Sequence, residues 1–286
     1  MKNSVRSKWI FQGPARACSA SALVLLGFMI TAAPAASQNV RVNYSVKLIG
    51  LPLGSAGLSG SVDSTGYRLQ VDAKLSGLAS VVSKSQGAAT ASGALTQGRV
   101  APATYANTSA NSKETRTVRM AMAAGTVKGV DIAPPFTENE GRVPLSDAHK
   151  RGILDPLSAL VMPVGGSDPI VGPAACNRTL PIFDGYTRFD ISLTYRGNRQ
   201  VKAKGYDGAV AVCSVRYVPI AGHRPNRKPT QFMANNRDIE VWLAPLHNMR
   251  IVVPYRISVA TMIGTTVIEA SDLNLGGTDN AAAISQ

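Results

Sequence analysis

Short runs in which apolar and polar residues alternate recur along most of this chain. In the clearest run, Val40 to Leu48, valine, tyrosine and leucine at every second position alternate with polar or charged residues. Successive side chains of a strand point to opposite faces of its sheet, so each run predicts a strand with one buried face. Many such strands, separated by turns that contain Gly and Pro, are typical of an all-β protein. The sequence therefore predicts a mostly antiparallel sheet.

The composition of individual runs indicates how this sheet is shaped. Gln86 to Leu95 consists almost entirely of Gly, Ala, Ser and Thr, which favours a strand that can bend sharply, with a flexible linker as the alternative. Asp184-Gly185 predicts a hairpin turn, and Arg196 to Asn198 predicts another. We expect a curved sheet, with one or two short helices capping or plugging it.

One segment has the pattern of a helix rather than a strand. Leu154 to Met162 offers Asp155 as N-cap and Pro156 at the first helical position, and its apolar residues share one face at helical spacing. This segment is predicted to cap or plug the curved sheet. The later segment from Gly222 to Pro229 is expected to be irregular, because Gly222, Pro225 and Pro229 interrupt it.

The N-terminus has the organisation of a secretion signal. Lys2, Arg6, Lys8 and Arg16 precede the apolar stretch Ala20 to Ala32 without an acidic residue, and Ala33-Pro34-Ala35 offers small residues for cleavage. An uncleaved anchor is the alternative, although it needs about 20 apolar residues. We expect residues 1–35 to be removed, residues 36–275 to form one domain, and residues 276–286 to be a disordered tail. We therefore expect an exported protein, with no transmembrane segment after cleavage.

Charge and cysteine content constrain the partners and the compartment. Loss of the four basic signal residues lowers the formal net charge from +13 to +9. A basic surface suits anionic lipid or glycan, or serves solubility alone, and in an exported protein we expect no nucleic acid partner. After cleavage Cys176 and Cys213 remain. An even pair predicts a disulfide in an oxidising compartment, with two buried thiols or a redox pair as alternatives.

Basic residues form the one constellation with chemical promise. No recognised metal, nucleotide or hydrolase motif is present, so we expect no metal, no cofactor and no catalysis. Arginine forks suit phosphate or carboxylate oxygens, whereas an ordinary solvated loop is the alternative for a run of charges. The candidate ligand-binding residues are His149, Lys150, Arg151, His223, Arg224, Arg227, Lys228 and Arg237.

Several runs together resemble a family of exported proteins of Gram-negative bacteria with undefined function, DUF3108. They include YSVKLIGLPLGSAGL from Tyr44, RGILDPLSAL from Arg151, CNRTLPIFD from Cys176 and CSVRYVPIAGHRP from Cys213. The resemblance covers nearly all of the mature chain. It implies a periplasmic, mostly antiparallel β protein with a strongly curved sheet, which we expect to form an open barrel or β-spiral, and it supplies no catalytic residues.

Two hypotheses about function follow. In the first, the protein is a non-catalytic binding module whose curved sheet holds an apolar, anionic envelope component such as a lipid, with the basic residues at the opening. In the second, it is a structural or protein-interaction factor in envelope integrity, with an interior filled by side chains and a periplasmic protein partner. A cavity distinguishes the first from the second.

Overall fold

A computed structural model describes residues 37–76, 85–136 and 141–276, and in this part of the chain one sheet of 14 strands dominates. All pairings between these strands are antiparallel, and the sheet does not close on itself, which confirms the predicted fold class. The predicted signal and residues 277–286 of the predicted tail lie outside the described residues. The strands are β1 Gln38–Leu48, β2 Leu51–Val62, β3 Gly66–Leu75, β4 Gln86–Thr96, β5 Arg99–Ala110, β6 Thr115–Ala123, β7 Thr126–Ala133, β8 Met162–Pro163, β9 Arg178–Phe183, β10 Arg188–Ala203, β11 Tyr206–Ala221, β12 Ile239–Pro245, β13 Ile251–Thr261 and β14 Gly264–Leu275.

The sheet consists of two meanders that meet at its centre. Strands β1 to β7 each pair with their neighbours in sequence, and strands β9 to β14 do the same. The first and last strands then pair with each other, so that Val42 lies opposite Leu58 on β2 and opposite Leu273 on β14. As a result β7 and β9 become the outer edges of the sheet.

The connection between the meanders links these two edges. The N–H of Gly152 donates to the Gly125 carbonyl at 2.6 Å, beside the start of β7. Two residues later, the N–H of Leu154 donates to Pro181 of β9 at 2.8 Å, and Leu154 accepts from Phe183 at 2.9 Å. Hydrogen bonds to a connecting segment satisfy edge groups that would otherwise be open to pairing with another chain.

The predicted helix from Leu154 to Met162 is wrong. Only Ser158–Leu160 forms a single 3₁₀ turn, although Asp155 does accept N–H bonds from Leu157 and Ser158 as an N-cap would. The reason is that both flanks are held in extended form, since Leu154 bridges to Ile182 and Met162 pairs with Val252. Because Leu154 and Met162 are both paired with strands, only one helical turn can form between them, despite the helical spacing of the apolar residues.

Other local expectations had mixed outcomes. The small-residue run is strand β4, and Asp184-Gly185 lies in the turn between β9 and β10, both as predicted. No turn occurs at Arg196 to Asn198, because β10 continues past a bulge at Tyr195 and Gly197. The expected irregular segment, Gly222 to Pro229, is irregular up to Arg227 and ends in the first turn of helix α2, Lys228–Asn235, where the missing N–H of Pro229 is tolerated. Helix α1 is the single turn Pro173–Cys176.

Buried residues form two clusters. The first joins the inner positions of β1 to β6 to Ile153, Leu157 and Val161 of the connection, so side chains of the connection fill the curve of the sheet. The second lies on the C-terminal meander and contains Cys176 and Cys213. These two cysteines form the predicted disulfide, with Cα atoms 5.5 Å apart, and it ties α1 to β11.

Candidate functional site

The structure divides the predicted basic group into three separate places. His149 and Lys150 lie in the 3₁₀ turn Asp147–Lys150, where Lys150 pairs with Asp147 at 3.4 Å. Arg151 follows as an exposed residue whose backbone bridges to Thr126, at the start of β7. His223 lies beyond the opposite end of β7, and the strand between them is about 25 Å long.

His223 and Arg224 lie beside a segment that the sequence analysis did not single out. The N–H of Val143 donates to the His223 carbonyl at 2.9 Å, and the N–H of Gly222 donates to the Val143 carbonyl at 2.8 Å. This pair of backbone bonds places Arg142 against the basic segment, where its guanidinium donates to the Gly222 carbonyl. The structure therefore adds a second arginine to this place, beside Arg224.

Two arginines and two aromatic rings form a compact group here, which we call the arginine–aromatic cluster: Arg116, Phe136, Arg142 and Tyr186. The guanidinium carbon of Arg116 lies 3.8 Å from the centre of the Phe136 ring. That of Arg142 lies 5.7 Å from the centres of both rings, which are themselves 4.3 Å apart. Stacking on ring faces holds guanidinium groups in place without using their N–H donors.

The charges around the cluster are mixed, with cations in excess. Glu114 pairs with Arg116 at 2.5 Å. Burial raises the pKa of the Asp184 carboxyl, whereas backbone N–H bonds from Tyr186 and Thr187 and the charge of Arg142 oppose that shift. Burial also raises the pKa of Tyr186. Three arginines, counting Arg224, thus face two carboxylates, one of which is poorly solvated.

In this neighbourhood, Nδ1 of His223 and Nε of Arg116 are buried and have no hydrogen-bond partner within the described ranges. Buried polar atoms of folded proteins are nearly always hydrogen-bonded to protein, water or ligand. The cluster can therefore accept an anionic or hydrogen-bonding group from outside the chain.

The remaining candidates lie around α2. Arg227 is its N-cap residue, Lys228 is its first residue, and Arg237 follows Asn236 at its C-terminal end. Lys228 and Arg237 line an open groove of about 570 Å³ together with Phe232 and Met262. Lys228 and Arg237 thus belong to a surface distinct from the arginine–aromatic cluster, whose residues do not line this groove.

The curve of the sheet is occupied by side chains. Asp155 is fully buried there, and its carboxylate accepts the Ser158 hydroxyl, which in turn accepts the Tyr67 hydroxyl at 2.7 Å. Burial raises the pKa of Asp155, and hydrogen bonds from Ser158 and Leu157 limit the shift. Tyr105 and Leu157 are also buried in this cluster. A ligand the size of a lipid does not fit in this part of the described interior.

A larger groove of about 690 Å³ crosses strands β1 to β5 and is open to solvent. Small residues such as Gly57 and Ala88 form its floor, and Asn43, Asp72 and Thr108 supply polar groups. Among the described residues, its lining has one cation, Lys74, and one aromatic residue, Tyr44, and it contains no arginine. Its chemistry suits water or a polar neighbour, and it does not match the predicted anionic ligand.

Other classes of site find little support. No three side chains of His, Cys, Asp or Glu come together as metal ligands within residues 37–76, 85–136 and 141–276. In the same part of the chain, no helix is long and apolar enough to cross a membrane.

Sequence reasoning missed Arg116, Phe136 and Arg142 because each lies in a different segment. Arg116 reads as a polar position of a strand, and Arg142 as part of a polar connection. One signal was available, since Phe136 is an apolar residue directly after Pro134-Pro135, where a solvated loop has no need of one.

Comparisons with known proteins give a family and a distant structural likeness. The family model described as "Protein of unknown function (DUF3108)" matches residues 41–271. No curated protein matches the chain. Among solved structures, the chain is similar to a beta-barrel-like protein of the domain of unknown function DUF1849 from Brucella abortus. The identity is 10%, the match covers 84% of this chain and 99% of that chain, and the TM-score is 0.47.

Proposed function

The chain belongs to the DUF3108 family of proteins of unknown function, and we propose that it is a non-catalytic binding module for an anionic component of the cell envelope. The ligand carries phosphate or carboxylate oxygens and an apolar part. It binds at the surface, at the arginine–aromatic cluster and the adjoining His223 and Arg224. This position differs from the enclosed cavity expected from the alternating pattern, because side chains occupy the interior.

One observation carries the proposal. Arg116 is stacked on the Phe136 ring, and its buried Nε has no partner among the described residues. The same holds for the buried Nδ1 of His223. Guanidinium groups bind phosphate and carboxylate oxygens through paired N–H donors, and aromatic faces suit an adjoining apolar group. Arg116 is partly exposed, with 24% of its side chain accessible, but its Nε is buried, so a ligand reaches that nitrogen only when the side chain moves.

The proposal places the mature chain in the periplasm. The basic segment before Ala20 to Ala32 and the small residues Ala33-Pro34-Ala35 support export with cleavage near Ala35. The disulfide between Cys176 and Cys213 supports an oxidising compartment.

The filled interior favours a second candidate function, that of a structural or protein-interaction factor in the envelope. A core formed by the sheet and by Ile153, Leu157 and Val161 gives a rigid body rather than a container. In that case the arginine–aromatic cluster would contact acidic residues of a protein partner, and it would bind no small molecule.

Calorimetric titration of the mature protein with a soluble short-chain phosphatidylglycerol tests the first candidate. Arg224→Ala should weaken binding about tenfold to a hundredfold, since a hydrogen bond to a charged group contributes about 1.5–3 kcal/mol. Arg151→Ala is the matched control, because this arginine is exposed and lies at the other end of β7. It should bind as the wild type does.

The outcomes separate the two candidates. Equal weakening by both substitutions would point to general charge attraction rather than to the cluster. If the lipid does not bind, and native mass spectrometry of protein purified from the periplasm finds no small-molecule ligand, the structural candidate is the better one.

A further inference from the structure

Exposed apolar residues of the described chain concentrate at two neighbouring hairpin tips. Six large apolar side chains are exposed in these ranges, and four of them lie in or directly beside the β1–β2 and β13–β14 turns. We call these four the tip patch: Ile49, Leu51, Met262 and Ile263, which are 56% to 72% exposed. The other two, Val130 and Val218, are only 38% and 39% exposed. Contiguous exposed apolar side chains mark interaction sites in folded proteins.

The two tips form one surface because their hairpins touch. The N–H of Ile49 donates to the Thr265 carbonyl at 2.9 Å, next to the pairing of Leu48 with Thr266. Gly264, at φ +122°, lies so close to Ile49 that a Cβ there would overlap the Ile49 side chain. The absence of a side chain at this position lets the two tips pack together.

Ile49 has an unusual backbone conformation for its residue type. It and Gly50 form a two-residue turn with φ values of +51° and +78°. Asn, Asp and Gly are favoured in such hairpin turns, whereas a β-branched residue is disfavoured at positive φ. Both the backbone conformation and the exposure of this position are therefore unfavourable for isoleucine. Strained residues of this kind are often associated with function.

Cations flank the tip patch. The groove beside Met262 is lined by Lys228 and Arg237, with Asp238 as its acidic residue, and Phe232 adds an aromatic ring. Lys47, two residues before Ile49, is exposed as well. Apolar side chains with basic residues beside them match an anionic lipid surface, where the apolar groups enter the interface and the cations meet headgroups.

We propose that the tip patch, with Lys47, Lys228 and Arg237, docks the protein on the surface of an anionic phospholipid bilayer. The large side chains of both turns enter the interfacial region of the lipid, and the cations contact phosphate groups around them. This surface shares no residue with the arginine–aromatic cluster, so docking and ligand binding succeed or fail independently.

Flotation of the mature protein with vesicles tests the docking. Wild-type protein should float with vesicles of equal parts phosphatidylcholine and phosphatidylglycerol, and much less with phosphatidylcholine alone. The double substitution Met262→Ser and Ile263→Ser should weaken binding at least about tenfold, because it removes two large apolar groups. Val218→Ser is the control, since it removes a moderately exposed apolar residue elsewhere, and it should float normally.

Ile49→Asn separates docking from folding. Asparagine suits the positive φ at this position, so the melting temperature should stay the same or rise while flotation weakens. A second measurement uses Ile263→Trp, whose fluorescence should shift to the blue with anionic vesicles, while Val218→Trp shows no such shift. Arg224→Ala should float as the wild type does. The proposal is overturned if wild-type protein does not float with anionic vesicles, or if the tip variants float as well as the wild type.

Discussion

Replacing Asp155 tests whether the turn inside the sheet is held by its buried carboxylate. The carboxylate accepts the N–H of Leu157 at 3.0 Å, the N–H of Ser158 at 2.9 Å, and the Ser158 hydroxyl. Asp155→Ala leaves three buried donors without this acceptor, at about 1–3 kcal/mol each. Burial raises the pKa of this carboxyl, which means that its charge is costly, and removing it recovers part of the loss. We expect a net decrease of about 2–4 kcal/mol in the free energy of unfolding.

Asp155→Asn separates the effect of the charge on stability from the effect of the hydrogen bonds. Its amide oxygen can still accept both backbone N–H bonds, so this variant should lose less stability than the alanine variant. Because the pKa of Asp155 is raised in the folded state, its contribution to stability is complete below its unfolded pKa of about 3.9. The contribution is then lost as the pH rises through the folded pKa. The stability of the wild type relative to the asparagine variant should therefore fall as the pH rises from about 4.

Urea denaturation followed by circular dichroism, at several pH values between acid and neutral, measures both effects. The disulfide must be intact in all samples, so that the unfolded states are comparable. An alanine variant within about 0.5 kcal/mol of the wild type at neutral pH would refute the hydrogen-bond argument. A difference between wild type and Asp155→Asn that does not change with pH would refute the assignment of the raised pKa.

Two further predictions concern the disulfide and export. Replacing both Cys176 and Cys213 with alanine should lower the free energy of unfolding by about 4 kcal/mol, the chain-entropy value for residues 37 apart in sequence; equal stability of the oxidised wild type and the variant in urea would contradict this. N-terminal sequencing of protein recovered from the envelope should begin between Ala36 and Asn39, and an intact Met1 would show that the signal is not cleaved.

The fold was predictable because its strands are half-buried. In β1 the buried positions Val40, Val42 and Tyr44 are the residues that the alternation places on one face. The prediction of a helix around Ser158 was wrong because the apolar spacing there fits a helix, whereas sheet partners distant in sequence decide the conformation. The predicted turn at Arg196 to Asn198 was wrong for a related reason, because the same residue types favour a bulge and a turn, and β10 continues past Gly197.

The candidate site was predictable only in part. His223 and Arg224 belong to the proposed site, whereas Arg151 is at the far end of β7 and Lys228 and Arg237 are beside Met262. The charged residues can be identified from the sequence, but which of them lie close together depends on the order of the strands in the sheet. Arg116 and Arg142 reach the site only through the placement of Phe136 and through the backbone bonds between Val143 and the segment Gly222 to His223.

The pairing of β1 with β14 has a consequence for the order of assembly. The Asn43 carbonyl accepts a hydrogen bond from the Ser271 hydroxyl, 228 residues away. Strand β1 is therefore synthesised long before its partner β14. Until β14 arrives, one side of β1 has no partner, although β2 to β7 can already form from local contacts. Folding that depends on such distant contacts is slow, and open strand edges invite aggregation in the meantime. A nascent chain truncated before Gly264 should therefore keep this edge available to a chaperone.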